Sequence, residues 1–101
     1  IGQHFPDTAE EYAGADSLML ARRVAEIMTE HGWRIENIDA TILCQRPKLA
    51  PHIPAMRAKL AEAFRMPVDA VSVKATTEEH LGFTGEGLGI AAHAVALIEA
   101  V

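Results

Sequence analysis

The chain has 101 residues, of which 50% are hydrophobic and only 5% aromatic, and its formal charge is -5. A chain of this length fits one small domain, here residues 1–101, and it buries only about two thirds of its unfolded surface on folding. The negative charge argues against a protein that binds a phosphate backbone through a basic face, so we expect no nucleic acid partner.

The N-terminal third predicts a loop followed by a helix. Residues 1–15 contain glycine, proline and aspartate without a lasting apolar period, which is typical of a loop long enough to act as a flap. Asp16 or Ser17 can cap a helix whose apolar residues recur at helical spacing, and Gly32 can end it. Those apolar residues are Leu20, Val24, Ile27 and Met28.

The middle of the chain predicts two strands with a helix between them. Apolar and polar residues alternate over residues 38–44, which indicates a strand covered mainly on one face and ending near Pro47. Pro51 and Pro54 suit the first turn of a helix, which Pro67 then closes. Alternating apolar residues over 71–75 predict a second, short strand.

The last twenty residues are less informative. Residues 82–89 are rich in glycine and predict a loop. Over residues 90–101 the alanines favour a helix, whereas the apolar residues also alternate as they would in a strand. The pattern leaves both alternatives open. Because the chain has no repeats and no linker, we place no domain boundary within it.

The sequence shows no feature of a secreted or membrane protein. It has neither a signal-peptide pattern nor an apolar stretch long enough to span a bilayer. Its single cysteine, Cys44, cannot form an internal disulfide. We therefore expect a cytoplasmic protein without a membrane partner.

The histidines do not form a metal-binding motif by their spacing. They show neither the i, i+4 pairing of a helical zinc site nor an accompanying Cys-x-x-Cys. The five positions are His4, His31, His52, His80 and His93. Spacing alone therefore predicts no complete metal site in this sequence.

Polar residues follow both predicted strands. Residues 76–79, Thr-Thr-Glu-Glu, can bring hydroxyls and a carboxylate to a phosphate and its divalent ion, or can form an exposed loop with a helix cap. Residues 45–48, Gln-Arg-Pro-Lys, offer backbone amides for a nucleotide, or form an ordinary turn with surface charges. Cys44 is better interpreted as a small buried residue than as a nucleophile, since no base is adjacent.

Five longer segments are more specific than these patterns: IGQHFPDT, GADS, DATILCQRPKLAPHIPAMR, VKATTEEHLGFTG and GIAAHAVALI. In order and spacing they resemble the methylerythritol cyclodiphosphate synthase family, over almost the whole chain. The resemblance implies an α+β fold with two layers, in which helices cover one face of a mixed sheet. It also implies that the last segment is a strand and that three such sheets form a homotrimeric prism with active sites between subunits.

The resemblance also implies an activity. The family consists of lyases of non-mevalonate isoprenoid biosynthesis. They convert 4-diphosphocytidyl-methylerythritol 2-phosphate, a cytidine diphosphate-type substrate, to methylerythritol 2,4-cyclodiphosphate and release CMP without consuming water. Zinc positions the attacking phosphate, and a second divalent ion, magnesium or manganese, bridges the diphosphate.

The resemblance assigns roles to individual residues of this chain. Glu79 matches the carboxylate that binds the second metal ion, and Thr76 and Thr77 match catalytic contacts to the phosphates, with Thr77 stabilising the transition state. Phe83 and Glu86 match residues that line the central channel of the trimer.

Two longer stretches match binding segments of the family. The cytidine pocket, which reads the base through backbone groups and uses Lys48 near the phosphates, comprises Cys44, Gln45, Arg46, Pro47, Lys48, Leu49, Ala50, Ala75 and Thr77. The loop that closes over the methylerythritol end comprises Ile1, Gly2, Phe5, Pro6, Asp7, Thr8 and Ala9.

The chain departs from the family pattern in two respects. The zinc ligands of the family, an Asp-x-His pair and a further His, precede the position of Ile1, so we interpret Ile1 as a cut end and expect this sequence alone to be inactive. The family usually reads Gly-Phe-Thr-Gly-Arg with a Glu two residues on, whereas this chain has Glu86 and Leu88 there. Glu86 therefore replaces the arginine that, by resemblance, the family uses for anion binding in the channel.

Two alternative functions stay open. The chain can be the C-terminal domain of a bifunctional enzyme that also has cytidylyltransferase activity, which the natural sequence before Ile1 would decide. It can also be a non-catalytic trimeric module that has kept the nucleotide pocket and lost zinc. An intact Asp-x-His before Ile1 would exclude this second alternative.

Overall fold

The computed structural model describes residues 2–6, 8–14 and 16–101, so the roles expected for Ile1 and Asp7 lie outside the described residues. The helices are α1 (Ser17–Glu30), α2 (Ile53–Phe64) and α3 (Gly82–Gly85), and the strands are β1 (Trp33–Leu43), β2 (Val71–Thr76) and β3 (Ala91–Ala100). Short 3-10 turns lie at Glu10–Tyr12, Ala50–His52 and Val68–Ala70.

The two long helices begin and end where the sequence predicts. At the start of α1 a carboxylate oxygen of Asp16 accepts a hydrogen bond from the Leu18 amide at 2.9 Å, and Gly32 follows the helix with a φ of 79°. Proline occupies the first turn of α2, where an absent N–H costs little. The cap of α1 and both helices are therefore confirmed.

The three strands form one mixed sheet in the order β2-β1-β3. Strand β1 is parallel to β2 and antiparallel to β3, which confirms the mixed sheet and the strand over the last segment. β1 begins at Trp33, five residues before the alternation that predicted it. Its first residues pair with the end of β3 across a register shift between Ile35 and Asn37, and this irregularity breaks the period-two pattern.

The hydrophobic core lies between α2 and the β1–β2 half of the sheet. Its most buried members are Ala61, Val71 and Val73, and apolar side chains of α2 and β1 pack against them. Helix α1 packs on β1 and α2. Both long helices thus lie on the same side of the sheet.

Strand β3 is at the edge of this sheet and is exposed along most of its length. Val95 and Leu97, which are 70% and 58% exposed, pair with Asp39 and Asn37 of β1. Cross-strand partners share a face of the sheet, so Val95 and Leu97 lie on the face opposite to the core residue Ile38. Among the described residues, no helix is long and apolar enough to cross a membrane.

The prediction of a loop over residues 82–89 is wrong for its first half. Gly82–Gly85 forms one helical turn, in which the amides of Gly85 and Glu86 donate to the carbonyls of Leu81 and Gly82 at 3.1 and 2.9 Å. The glycines lower the intrinsic helix propensity, which is why local composition predicts a loop. Burial of Thr84 and Gly85 overrides that propensity.

Candidate phosphate and nucleotide site

The candidate site lies where β1 and β2 end. Because the two strands are parallel, their carboxyl ends meet at the same edge of the sheet. Leu43 pairs with Thr76, and the Cys44 amide donates to the Thr76 carbonyl at 3.0 Å, one residue beyond the strand. The structure thus brings together residues 44–50, here named the nucleotide turn, and residues 77–80, here named the carboxylate turn.

Cys44 anchors the nucleotide turn from inside the protein. It is 5% exposed, and its thiol donates to the carbonyl of Arg46 at 3.1 Å and approaches that of Pro47 at 3.7 Å. The thiol thus stays within its own turn, beside carbonyl oxygens that cannot activate it. This environment agrees with the interpretation of Cys44 as a small buried residue.

The rest of the nucleotide turn faces solvent. Arg46, Pro47, Lys48 and Ala50 are exposed, and Gln45 and Leu49 are half-buried. Ala75 is half-buried in β2, one residue before Thr76. The turn therefore presents its backbone and two cationic side chains at the edge where the carboxylate turn begins.

Side-chain hydroxyls shape the carboxylate turn. The hydroxyl of Thr76 donates to the Thr77 carbonyl at 3.2 Å, and the hydroxyl of Thr77 accepts from the Glu79 amide at 3.3 Å. Glu79 and His80 have φ values of 54° and 64°, in the left-handed region that residues with a side chain seldom adopt. The chain therefore reverses sharply here, with the Glu79 side chain exposed.

The carboxylate turn is supported by two contacts, and sequence reasoning predicts neither of them. The side-chain oxygen of Gln45 accepts a hydrogen bond from the His80 amide at 3.2 Å. Gly85 packs against the same residue so closely that a β-carbon on it would stand 2.5 Å from the His80 carbonyl carbon. The only available signal is the glycine itself, within a segment that composition predicts as a loop.

The remaining expected site residues lie in the N-terminal loop and on or next to α3, which contacts the carboxylate turn through Gly85. In the N-terminal loop, Phe5, Pro6 and Ala9 are half-buried, Gly2 and Thr8 are exposed, and the Ala9 amide donates to the Pro6 carbonyl at 3.0 Å. On and next to α3, Phe83 is 58% exposed and Glu86 is also exposed. Both are therefore open to a ligand or a neighbouring subunit.

One charged pair lies in the middle of the sheet. The Lys74 ammonium on β2 donates to the Asp39 carboxylate on β1, and this hydrogen bond holds the pKa of Asp39 below its usual range. Asp39 shares the face of the sheet that carries Val95 of β3. Both residues of the pair lie within strands, before the two turns begin.

A cavity of about 360 Å³ lies at the other end of β1. It is lined by the ends of α1 and α2 and the start of β1, with Met28, Trp33 and Phe64 among its walls. Since the nucleotide turn follows the last residue of β1, this cavity is at the far end of the sheet from the candidate site.

The resemblance implies two metals, zinc and a second divalent ion, and the described residues fit only the second. Zinc requires three or four His, Cys or carboxylate ligands. Residues 2–6, 8–14 and 16–101 contain no group of three such side chains that could hold a metal, so they do not fit zinc. Magnesium and manganese can be held by one or two carboxylates together with substrate phosphates, and the exposed carboxylate of Glu79 fits that requirement.

The sequence matches a known family along nearly its whole length. The model described as "YgbB family" covers residues 1–99. The chain belongs to the YgbB family. It is 61% identical, over 98% of its length, to the 2-C-methyl-D-erythritol 2,4-cyclodiphosphate synthase of Thioalkalivibrio sulfidiphilus, and 57% identical, over 99%, to the protein of that name from Pseudomonas aeruginosa strain UCBPP-PA14. It spans 62% and 64% of those two proteins.

Solved structures show the same fold. The bifunctional IspDF from Campylobacter jejuni matches with a TM-score of 0.94 and 32% identity, over 100% of this chain and 27% of that chain. A 2C-methyl-D-erythritol-2,4-cyclodiphosphate synthase described as a bound form with CDP matches with a TM-score of 0.81 and 28% identity, over 98% of this chain and 63% of that chain. The family and the mixed α+β fold expected from the resemblance are confirmed.

Proposed function

We propose that this member of the YgbB family is part of a 2-C-methyl-D-erythritol 2,4-cyclodiphosphate synthase, a lyase of non-mevalonate isoprenoid biosynthesis. It would convert 4-diphosphocytidyl-methylerythritol 2-phosphate to methylerythritol 2,4-cyclodiphosphate and release CMP. The observation that carries the proposal is the meeting of the nucleotide turn and the carboxylate turn at one edge of the sheet, in a chain whose relatives bear this name.

In this reaction an oxygen of the 2-phosphate forms a bond to the diphosphate phosphorus that is attached to the methylerythritol. The bond from that phosphorus to the phosphate oxygen of CMP breaks, and CMP leaves. Negative charge accumulates on the phosphate oxygens, so a preorganised hydrogen-bond donor accelerates the step. The hydroxyl of Thr77 already accepts a hydrogen bond from the Glu79 amide, which leaves its proton for a phosphate oxygen. The hydroxyl proton of Thr76 is directed to the Thr77 carbonyl instead. Thr77 is therefore the better donor.

Glu79 contributes a carboxylate to a hard divalent ion, magnesium or manganese. When bound, such an ion offsets the negative charge of the diphosphate. Glu79 lies on the turn that also carries Thr77, so the divalent ion and the Thr77 hydroxyl would bind the same phosphates. Since the described residues do not fit zinc, we assign none of them to that metal.

The nucleotide turn would bind the cytidine end of the substrate. Its exposed backbone groups suit a flat base, and the Lys48 ammonium suits the phosphates. The solved relative described as a bound form with CDP supports a cytidine nucleotide as the ligand. The loop residues that would close over the methylerythritol end are Ile1, Gly2, Phe5, Pro6, Asp7, Thr8 and Ala9.

We further propose a homotrimer with active sites between subunits, located in the cytoplasm. The exposed apolar side chains of β3 support association, because large apolar surfaces mark contacts between proteins. A small domain also gains stability from its partners. Phe83 and Glu86 would line the channel at the centre of the trimer.

A second candidate adds an activity to the same chain. The match to the bifunctional protein of Campylobacter jejuni favours a C-terminal domain of an enzyme that is also a cytidylyltransferase. Mass spectrometry of the natural protein decides between the two, because a bifunctional chain would be several times longer than residues 1–101.

The test compares Glu79→Gln with Glu78→Gln in the natural chain that carries this sequence. We expect Glu79→Gln to reduce CMP release by about 100-fold and to raise the magnesium or manganese requirement, because a carboxylate ligand of the metal is lost. Glu78→Gln is the matched control and should be mild, and CMP affinity should change little in either variant. Equal losses at the two positions would contradict the assignment of Glu79.

A further inference from the structure

The carboxylate turn depends on a residue of the nucleotide turn. His80 donates its amide hydrogen to the side-chain oxygen of Gln45 at 3.2 Å, although the two residues are 35 positions apart. The backbone of Gln45 belongs to the nucleotide turn, so its side chain directly joins the two halves of the candidate site. Gln45 is half-buried and His80 is exposed, so this hydrogen bond lies near the protein surface.

This hydrogen bond acts on a part of the backbone that needs support. Glu79 and His80 both have a positive φ, a conformation that is unfavourable for residues with a side chain and persists only when the surroundings enforce it. Other contacts also hold this backbone: the Glu79 amide donates to the Thr77 hydroxyl at 3.3 Å, the Leu81 amide donates to the Glu78 carbonyl at 3.0 Å, and Gly85 packs against His80. Removing the acceptor on Gln45 therefore takes away the hydrogen bond that holds the His80 amide, next to Glu79.

The direction of the Glu79 side chain depends on this backbone. A change of φ and ψ at Glu79 would disturb the hydrogen bond from its amide to the Thr77 hydroxyl and would move the Glu79 side chain relative to that hydroxyl. A metal ion that needs the carboxylate and the phosphates in one place would then bind more weakly.

We propose that Gln45 is a positioning residue, which holds the carboxylate turn in its left-handed conformation and so fixes Glu79 for the divalent ion. This role rests on the proposed function and extends it. It differs from base recognition, because the side chain of Gln45 is directed to His80, whereas the proposed contacts to the base are backbone groups of the turn.

The test uses two variants in the natural chain. Gln45→Met keeps the length of the side chain and removes the acceptor, whereas Gln45→Glu keeps an acceptor oxygen and is the matched control. We expect Gln45→Met to raise the manganese concentration for half-maximal turnover about tenfold, the usual effect of one lost hydrogen bond. The affinity for CMP, measured by calorimetry, should stay within about twofold. Gln45→Glu, which keeps the acceptor for the His80 amide, should have a manganese requirement closer to that of the unmodified protein than Gln45→Met has.

Hydrogen exchange of the His80 amide provides a readout that is independent of activity. It should become about tenfold faster in Gln45→Met and stay protected in Gln45→Glu. If Gln45→Met fails to fold by circular dichroism, Gln45→Asn replaces it, because its shorter side chain moves the acceptor out of reach of His80.

Three results would overturn the inference: unchanged manganese dependence in Gln45→Met, unchanged exchange at His80, or a loss of CMP affinity as large as the loss for manganese. The last result would make Gln45 a nucleotide contact. Absence of turnover by the unmodified natural chain would instead refute the proposed function. Calorimetric titration of manganese into the same variants would then still decide whether Gln45 positions Glu79.

Discussion

Replacement of Gly85 by alanine would put a methyl group where the backbone of His80 already lies. The new β-carbon would be 2.5 Å from the His80 carbonyl carbon and 2.9 Å from its Cα. Carbon atoms in favourable contact are about 3.5–4.0 Å apart, so the two segments must separate by about 1 Å. The Gly85→Ala variant therefore tests directly whether the short helix α3 and the carboxylate turn are packed together.

The expected loss of stability follows from two opposing effects. Overpacking that shifts the backbone costs about 1–3 kcal/mol, and the upper end applies because the obstructing atoms belong to the backbone rather than to a flexible side chain. Alanine also restricts the unfolded chain, which returns about 0.4–1 kcal/mol. Gly85→Ala should thus lower the free energy of unfolding by about 2 kcal/mol.

The assay is urea unfolding of the natural chain, with two glycine controls. Gly82 has a φ of 68° and open space around it, so Gly82→Ala should show only the cost of a left-handed alanine, about 1 kcal/mol. Gly2 has neither constraint, and Gly2→Ala should be neutral. If Gly85→Ala is no more destabilising than Gly82→Ala, the contact between Gly85 and His80 does not restrain the protein.

Three further substitutions test other parts of the structure. Arg57→Met should lower the free energy of unfolding in urea by about 2 kcal/mol, because the guanidinium donates to the carbonyl of Val71 in β2 at 2.7 Å and to that of Val68 before β2 at 3.0 Å. Asp39→Asn should flatten the loss of stability below about pH 4 in acid unfolding. The pKa of Asp39 is lowered by Lys74, so its contribution is present above the unfolded pKa and is lost as the pH falls through the folded one. Glu86→Arg should improve binding of geranyl diphosphate about tenfold, measured by titration at fixed salt, because a cation replaces an anion at the proposed channel. Tight binding by the unmodified protein would contradict this.

The sequence predicts best those elements whose signals are local. The cap at Asp16, the apolar spacing of α1 and the stop at Gly32 are close together in the chain, and the structure contains all three. The start of β1 is not predicted, because its first residues become strand only by pairing with the distant end of β3. β3 itself is ambiguous for the same reason, since its alanines favour a helix in the absence of a partner strand.

The candidate site is predictable to a lesser extent. The polar ends of the two strands are visible in the sequence, and their parallel pairing explains why they meet. The roles of Thr77 and Glu79 come from the resemblance and not from spacing. The contact of Gln45 with His80 cannot be predicted, because it requires two consecutive left-handed residues that carry side chains, and no local pattern encodes that conformation.

The most direct test of the proposed activity is to follow the reaction by phosphorus NMR. The natural chain is mixed with 4-diphosphocytidyl-methylerythritol 2-phosphate in a buffer that contains magnesium and no manganese. Cyclisation without water predicts that CMP and a cyclic diphosphate appear in equal amounts, with no inorganic phosphate. Glu79→Gln should slow the appearance of both products together, by about 100-fold. Release of CMP with a linear phosphate product would instead show a hydrolase, and an unchanged substrate spectrum would contradict the proposed function altogether.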